Sequence, residues 1–157
     1  MNRPPCRLLA AAVATVALAS PASAQKGEEF GFQVTSLLAR EHPYYGAGFS
    51  GAHRLGGRAR IGFAALYGAS DHEPTARAEL TGHLMASPTR QGGVGLYGFG
   101  GAGFEAGWRN QGYLVLGIGL DTDPAGGGGF HFEAGIGGGF MLSAGWRARW
   151  LGPNRSR

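Results

Sequence analysis

His131, Glu133 and Ser143 are the residues whose types could do covalent chemistry. Acyl transfer needs a nucleophile, a base and an orienting group within hydrogen-bond reach. His131 and Glu133 fall on one face of an extended segment, and Ser143 lies on the following one. A second possibility is metal binding, because Glu41-His42 and Asp71-His72-Glu73 bring carboxylates and imidazoles that hold a divalent cation when they converge. Two short polar loops are more simply read as solvated, so no metal and no cofactor is expected. The third group is cationic: Arg54, Arg58, Arg60, Arg147 and Arg149. A ring of arginines inside a narrow space would favour anions or phosphate groups. The plainer reading is that they pair with carboxylates such as Glu79 and Glu133, since isolated buried charge is very costly. The glycine run at 126–129 is no phosphate loop, because no strand–loop–helix context surrounds it.

The elements that must position these side chains begin after a processing segment. Arg3 and Arg7 precede the small-apolar run Leu8 to Ala19, and Ala22-Ser23-Ala24 follows it. This is the pattern of a cleaved export signal over 1–24, with the cut expected after Ala24. About twelve apolar residues are too few to span a bilayer as a helix. The remainder, 25–157, is one domain's length of chain. Cys6, the only cysteine, leaves with the signal, which excludes a disulfide framework and thiol chemistry from the rest. Removing Arg3 and Arg7 leaves twelve basic side chains against ten acidic ones. No dense basic stripe appears, so no nucleic-acid partner is expected.

Glycine, 31 of 157 residues, argues against helix, and period-two alternation is the signal that recurs. Phe140, Leu142, Ala144, Trp146, Ala148 and Trp150 share one face of the last segment, opposite Ser143, Gly145, Arg147 and Arg149. The same pattern sets Ala76, Ala78, Leu80 and Leu84 against Arg77, Glu79, Thr81 and His83. It returns at 58–67, with Arg58 and Arg60 on the polar face, and at 130–136, with His131 and Glu133 there. Weaker segments at 29–40, 44–54, 93–104 and 111–120 bring the count to eight strands of about ten residues, the length of a tilted membrane strand. Turns are expected at 41–43, 55–57, 70–74, 87–89 and 121–129.

Charged residues make up 15% of the chain, too few for the outer face of a soluble barrel. The polar face, mostly glycine with a few arginines and glutamates, suits a narrow lumen. Aromatics near strand ends suggest two interfacial girdles. Phe30, Phe32, Phe130, Trp146 and Trp150 are expected at one rim, and Tyr44, Tyr45, Tyr67, Trp108 and Tyr113 near the other. The fold class expected is therefore all-β: a closed, antiparallel, up-and-down, eight-stranded transmembrane barrel.

The segment 139–150, Gly-Phe-Met-Leu-Ser-Ala-Gly-Trp-Arg-Ala-Arg-Trp, resembles the C-terminal strand of small, barrel-only outer-membrane β-barrel proteins of Gram-negative envelopes. The resemblance extends through the eight-segment layout, with two departures. Residues 151–157 follow the closing aromatic, and the 121–129 connection is longer than the supposed outer loops. The resemblance implies an outer-membrane location, recognition of 139–150 by the barrel-assembly machinery, lipid as the surroundings and a monomeric barrel. It also raises catalysis, because some barrels of this kind modify lipid A. The deacylases among them carry His-x-Ser on one strand, where this chain has His131-x-Glu133. The expected role is non-enzymatic, structural or interacting, with a narrow solute pore as one alternative and a lipid-modifying enzyme as another.

Overall fold

The computed structural model describes residues 27–38, 41–56, 58–86, 93–107 and 110–151. The expected export signal, Gly57, the 87–89 turn and Trp108 lie outside them. Eight strands follow one another: β1 Gly27–Leu38, β2 Tyr44–Arg54, β3 Ala59–Ser70, β4 Glu73–Met85, β5 Val94–Ala106, β6 Gln111–Thr122, β7 Gly128–Gly137 and β8 Phe140–Leu151. Each pairs antiparallel with its sequence neighbours, and β8 pairs with β1 to close the barrel.

Register fixes the shape. Following paired residues once round, from Glu28 through His53, Ile61, Gly82, Gly100, Leu116, Ile136 and Phe140, returns to β1 at Leu38, ten positions on. With a rise of about 3.3 Å per residue and strands about 4.8 Å apart, that stagger implies a tilt of roughly 40° and a radius of about 8 Å. A twelve-residue strand at that tilt climbs about 30 Å, the thickness of a bilayer's hydrocarbon core.

The barrel is inside out relative to a water-soluble one. Its buried side chains include Glu29, Arg60, Arg77, Glu105, Asp121, His131 and Arg149, whereas Phe49, Tyr67, Leu80, Leu114, Ile118 and Trp150 are more than half exposed. An apolar belt round the whole wall is stable against hydrocarbon, not against water. Closure also leaves no unpaired strand edge, which lipid could not satisfy.

Strand ends shift by up to three residues from the sequence expectation, and two of the expected turns shorten. Asp121 and Thr122 extend β6 and Gly128–Gly129 extend β7, so the expected nine-residue turn shrinks to 123–127. Asp121 stays in the strand because its carboxylate has two arginine partners inside. The β3–β4 connection tightens to Asp71 and His72, both at positive φ (52° and 69°), as a two-residue hairpin turn requires.

Glycine's abundance also has a packing reason. A Cβ at Gly46 would strike the Tyr44 ring, one at Gly103 the Tyr113 ring and one at Gly119 the Tyr97 ring. Each inward tyrosine lies flat over bare backbone, and a lumen of this radius has no other room for it. Tyr44 and Tyr113 therefore belong to the lumen and not to the outer girdle expected from their place at strand ends.

Candidate functional site

The lumen gathers most of the titratable chemistry. In the half nearer the termini, strand alternation turns Glu29 of β1, Arg54 of β2, Arg60 of β3, Asp121 of β6, His131 and Glu133 of β7, and Arg147 and Arg149 of β8 inward. Glu29 is the hub. Its Oε1 accepts from Arg54 Nε at 2.7 Å and its Oε2 from Arg60 Nη1 at 3.1 Å. Arg149 Nε stands 3.7 Å and Arg147 Nη1 3.9 Å from the same carboxylate. Asp121 takes Arg60 Nη1 at 3.0 Å on one oxygen and Arg149 Nη2 on the other. Glu133 accepts the Tyr97 hydroxyl at 2.7 Å and Arg147 Nη2 at 3.4 Å. Arg60 also lies over the Tyr97 ring, 4.5 Å from its centroid.

A second cluster fills the far half. Arg77 Nη1 donates to Glu105 at 3.0 Å, and its Nη2 donates to Glu79 and to the Gly137 carbonyl, each at 2.9 Å. The guanidinium lies 4.2 Å from the Tyr113 centroid and 5.2 Å from that of Tyr44, and the Tyr113 hydroxyl donates to Glu79. Charge-assisted bonds of this kind are about twice as strong as neutral ones and stronger still away from water. Five arginines and five carboxylates thus pair within the described lumen, each with at least one opposite charge inside 4 Å.

The sequence-predicted residues divide accordingly. Arg54, Arg60, His131, Glu133, Arg147 and Arg149 come together near the terminal end, and Glu79 sits in the far cluster. Arg58 does not join them: it is exposed in the turn before β3, beyond the reach of the alternation that would aim it inward. Glu29, Asp121, Arg77, Glu105 and Tyr97 complete the networks. Arg77 was visible on the polar face, and Glu29 could have been found the same way, since it alternates with Phe30 and Phe32. Outside, Tyr45 and Tyr67 are exposed near the far rim and Trp150 at the terminal rim. Trp146 stands four residues farther up β8, its ring 6.3 Å from Phe32, and so lies within the wall.

No acyl-transfer triad forms from His131, Glu133 and Ser143. The Ser143 hydroxyl bonds Thr35 Oγ1 at 2.8 Å, and neither ring nitrogen of His131 has a hydrogen-bond partner. All three face a lumen that no acyl chain could enter. Beyond the barrel rim, His42 Nδ1 meets Asp71 Oδ2 at 3.1 Å, and no group of three or more metal-ligating side chains forms among the described residues.

The lumen is also capped. At the terminal end the 123–127 turn folds over it, where the Pro124 carbonyl accepts Arg54 Nη2 at 2.7 Å and the Asp123 carbonyl accepts Arg149 Nη1 at 3.0 Å. At the other end Leu37, Tyr44, Val115 and Met141 pack together with no more than 2% exposure. Between the clusters a cavity of about 20 Å³ remains, bordered by Ser50, Glu79, Thr81, His83, Glu133 and Arg147.

No protein-family model matches the chain, and no curated protein does. Several solved structures share its fold. The N-terminal β-barrel domain of Pseudomonas aeruginosa OprF aligns at a TM-score of 0.61 and 14% identity, covering 81% of this chain and 99% of that one. The de novo designed barrel TMB2.3 aligns at 0.55 and 18%, covering 80% and 95%. Ail, the attachment invasion locus protein of Yersinia pestis, aligns at 0.53 and 14%, covering 81% and 99%. The chain therefore has the fold of the small outer-membrane barrels.

Proposed function

We propose that this chain is a non-catalytic barrel of a Gram-negative-type outer membrane, structural in role and closed to solutes. The observation that carries this reading is the lumen, filled by ten paired charges and left with a cavity the size of one small molecule of solvent. An eight-stranded barrel has an interior only just wide enough for its own side chains, whereas water-filled channels use many more strands. The apolar belt supports a membrane location, and the likeness to barrels of outer membranes supports which membrane. In the same reading residues 1–24 are an export signal cleaved after Ala24, 25–157 form the barrel domain, and 139–150 are what the assembly machinery binds. The barrel then sits in lipid as a monomer.

The far rim argues against an adhesive role. Its connections run 39–43, 71–72, 107–110 and 138–139, none longer than five residues. Surfaces that short cannot build a standard-sized protein interface of about 800 Å² per partner. Planar-bilayer recording of the refolded chain tests the proposal. No stepwise conductance is expected. Steady single-channel openings would replace the closed reading with the narrow-pore alternative.

A further inference from the structure

We propose that a trough in the outer wall holds one zwitterionic diacyl phospholipid, an assignment that rests on the membrane location argued above. Cross-strand pairing sets Leu120, Phe132, Ala144, Val34, Ala47 and Tyr67 side by side in one row round the outside of the barrel. The next row toward the terminal end is Phe130, Trp146, Phe32 and Phe49, four aromatic rings in successive register. The next row toward the far rim runs Ala134, Leu142, Ser36 and Tyr45. The small side chains of Ala144, Ala47, Ala134 and Ser36 thus lie beside an aromatic ridge and between bulkier neighbours. The wall sinks there into an apolar trough of about 980 Å³.

Its dimensions suit acyl chains. From Leu120 to Tyr67 the row takes five interstrand steps of about 4.8 Å, and at the barrel's tilt it climbs about 15 Å, half the depth of a hydrocarbon core. At about 30 Å³ of liquid volume for a water-sized group, the trough has room for about thirty methylenes, the content of two ordinary chains. Its upper end is polar. The exposed phenols of Tyr45 and Tyr67 border it, and the Ser36 hydroxyl lies two residues from the end of β1. These hydroxyls donate to the ester and phosphate oxygens of the lipid. In the connections that flank β2 and β3, the side chains of Glu41 and Asp71 are 77% and 55% exposed, and Glu73 is exposed beside them. Among the described residues no lysine or arginine stands outside the barrel at this rim. Such a rim repels a purely anionic headgroup and attracts the ammonium of a zwitterionic one.

The test is native mass spectrometry of the chain extracted from membranes in detergent, titrated with palmitoyl-oleoyl phosphatidylethanolamine or with phosphatidylglycerol carrying the same chains. One phosphatidylethanolamine should be retained per barrel, saturably, and about tenfold more tightly than phosphatidylglycerol. A benzyl group on the trough floor displaces methylenes and their contacts, so Ala144→Phe should weaken retention about tenfold. Ala102→Phe, at an exposed position between Leu80 and Leu114 and outside the trough, should leave retention unchanged. Faster migration on an unboiled gel shows that each variant is folded, and Ala47→Leu fills the same floor if Ala144→Phe does not fold. Lipid uptake that never saturates, equal retention in the filled variant, or indifference to the headgroup overturns the proposal. A dimer in place of the lipid-bound barrel also overturns it and assigns the trough to a second copy. A chain found in the outer membrane that retains no single lipid refutes this site alone, whereas release by osmotic shock refutes the membrane location with it.

Discussion

Glu28 and Glu29 are chemically alike neighbours that the fold turns to opposite faces, and neutralising each in turn separates wall from lumen. Glu28 is 67% exposed at the side chain and meets a half-exposed His53 at 2.6 Å on the outside. An exposed pair of this kind contributes about 0–1 kcal/mol. The Glu29 side chain is wholly buried, with four arginine guanidiniums within 4 Å. In Glu29→Gln the shape is kept and the charge lost, so those guanidiniums face a lumen richer by one positive charge. Breaking a buried pair costs about 3–5 kcal/mol, because the partner is left uncompensated. Glu28→Gln should therefore cost under about 1 kcal/mol and Glu29→Gln at least about 3 kcal/mol. Denaturant unfolding of the refolded barrel, followed by tryptophan fluorescence with Trp146 and Trp150 as reporters, reads both. Equal losses, or a neutral Glu29→Gln, would refute the claim that the lumen network holds the barrel together.

Three further outcomes rest on the same geometry. Ile118→Arg places a charge midway up the lipid-facing wall, where Ile118 is 63% exposed, and should cost about 2–4 kcal/mol of unfolding free energy in lipid vesicles. Gly119→Ala drives a methyl into the Tyr97 ring and should lose about 1–3 kcal/mol by overpacking, whereas Gly98→Ala, whose new methyl meets no atom closer than 3.9 Å, should leave the unfolding midpoint unchanged. Tyr97→Phe removes the donor 2.7 Å from Glu133 and should cost about 1.5–3 kcal/mol in the same unfolding assay.

All eight strands were legible because alternation is a local property: a strand with one face to lipid and one to a polar lumen writes its period into the residues themselves. Boundaries were less legible where a turn-forming residue had a distant partner. Asp121 reads as the start of a turn, yet Arg60 and Arg149 hold it in β6. Tyr44 and Tyr113 read as rim aromatics, because what turns them inward is a glycine that makes room, and for Tyr113 that glycine is on the neighbouring strand. The polar faces of β4, β7 and β8 showed which side chains look inward. Which arginine meets which carboxylate depends on the ten-residue stagger, a property of the closed sheet that no single segment carries.

The central claim, that the apolar wall faces lipid and the charged face looks inward, is tested most directly by fractionation of cells expressing the chain. The protein is expected in the outer-membrane pellet, resistant to osmotic shock, released by detergent, and faster on an unboiled gel than on a boiled one. Release by osmotic shock without detergent would contradict the account, because a barrel with this wall has no stable form in water.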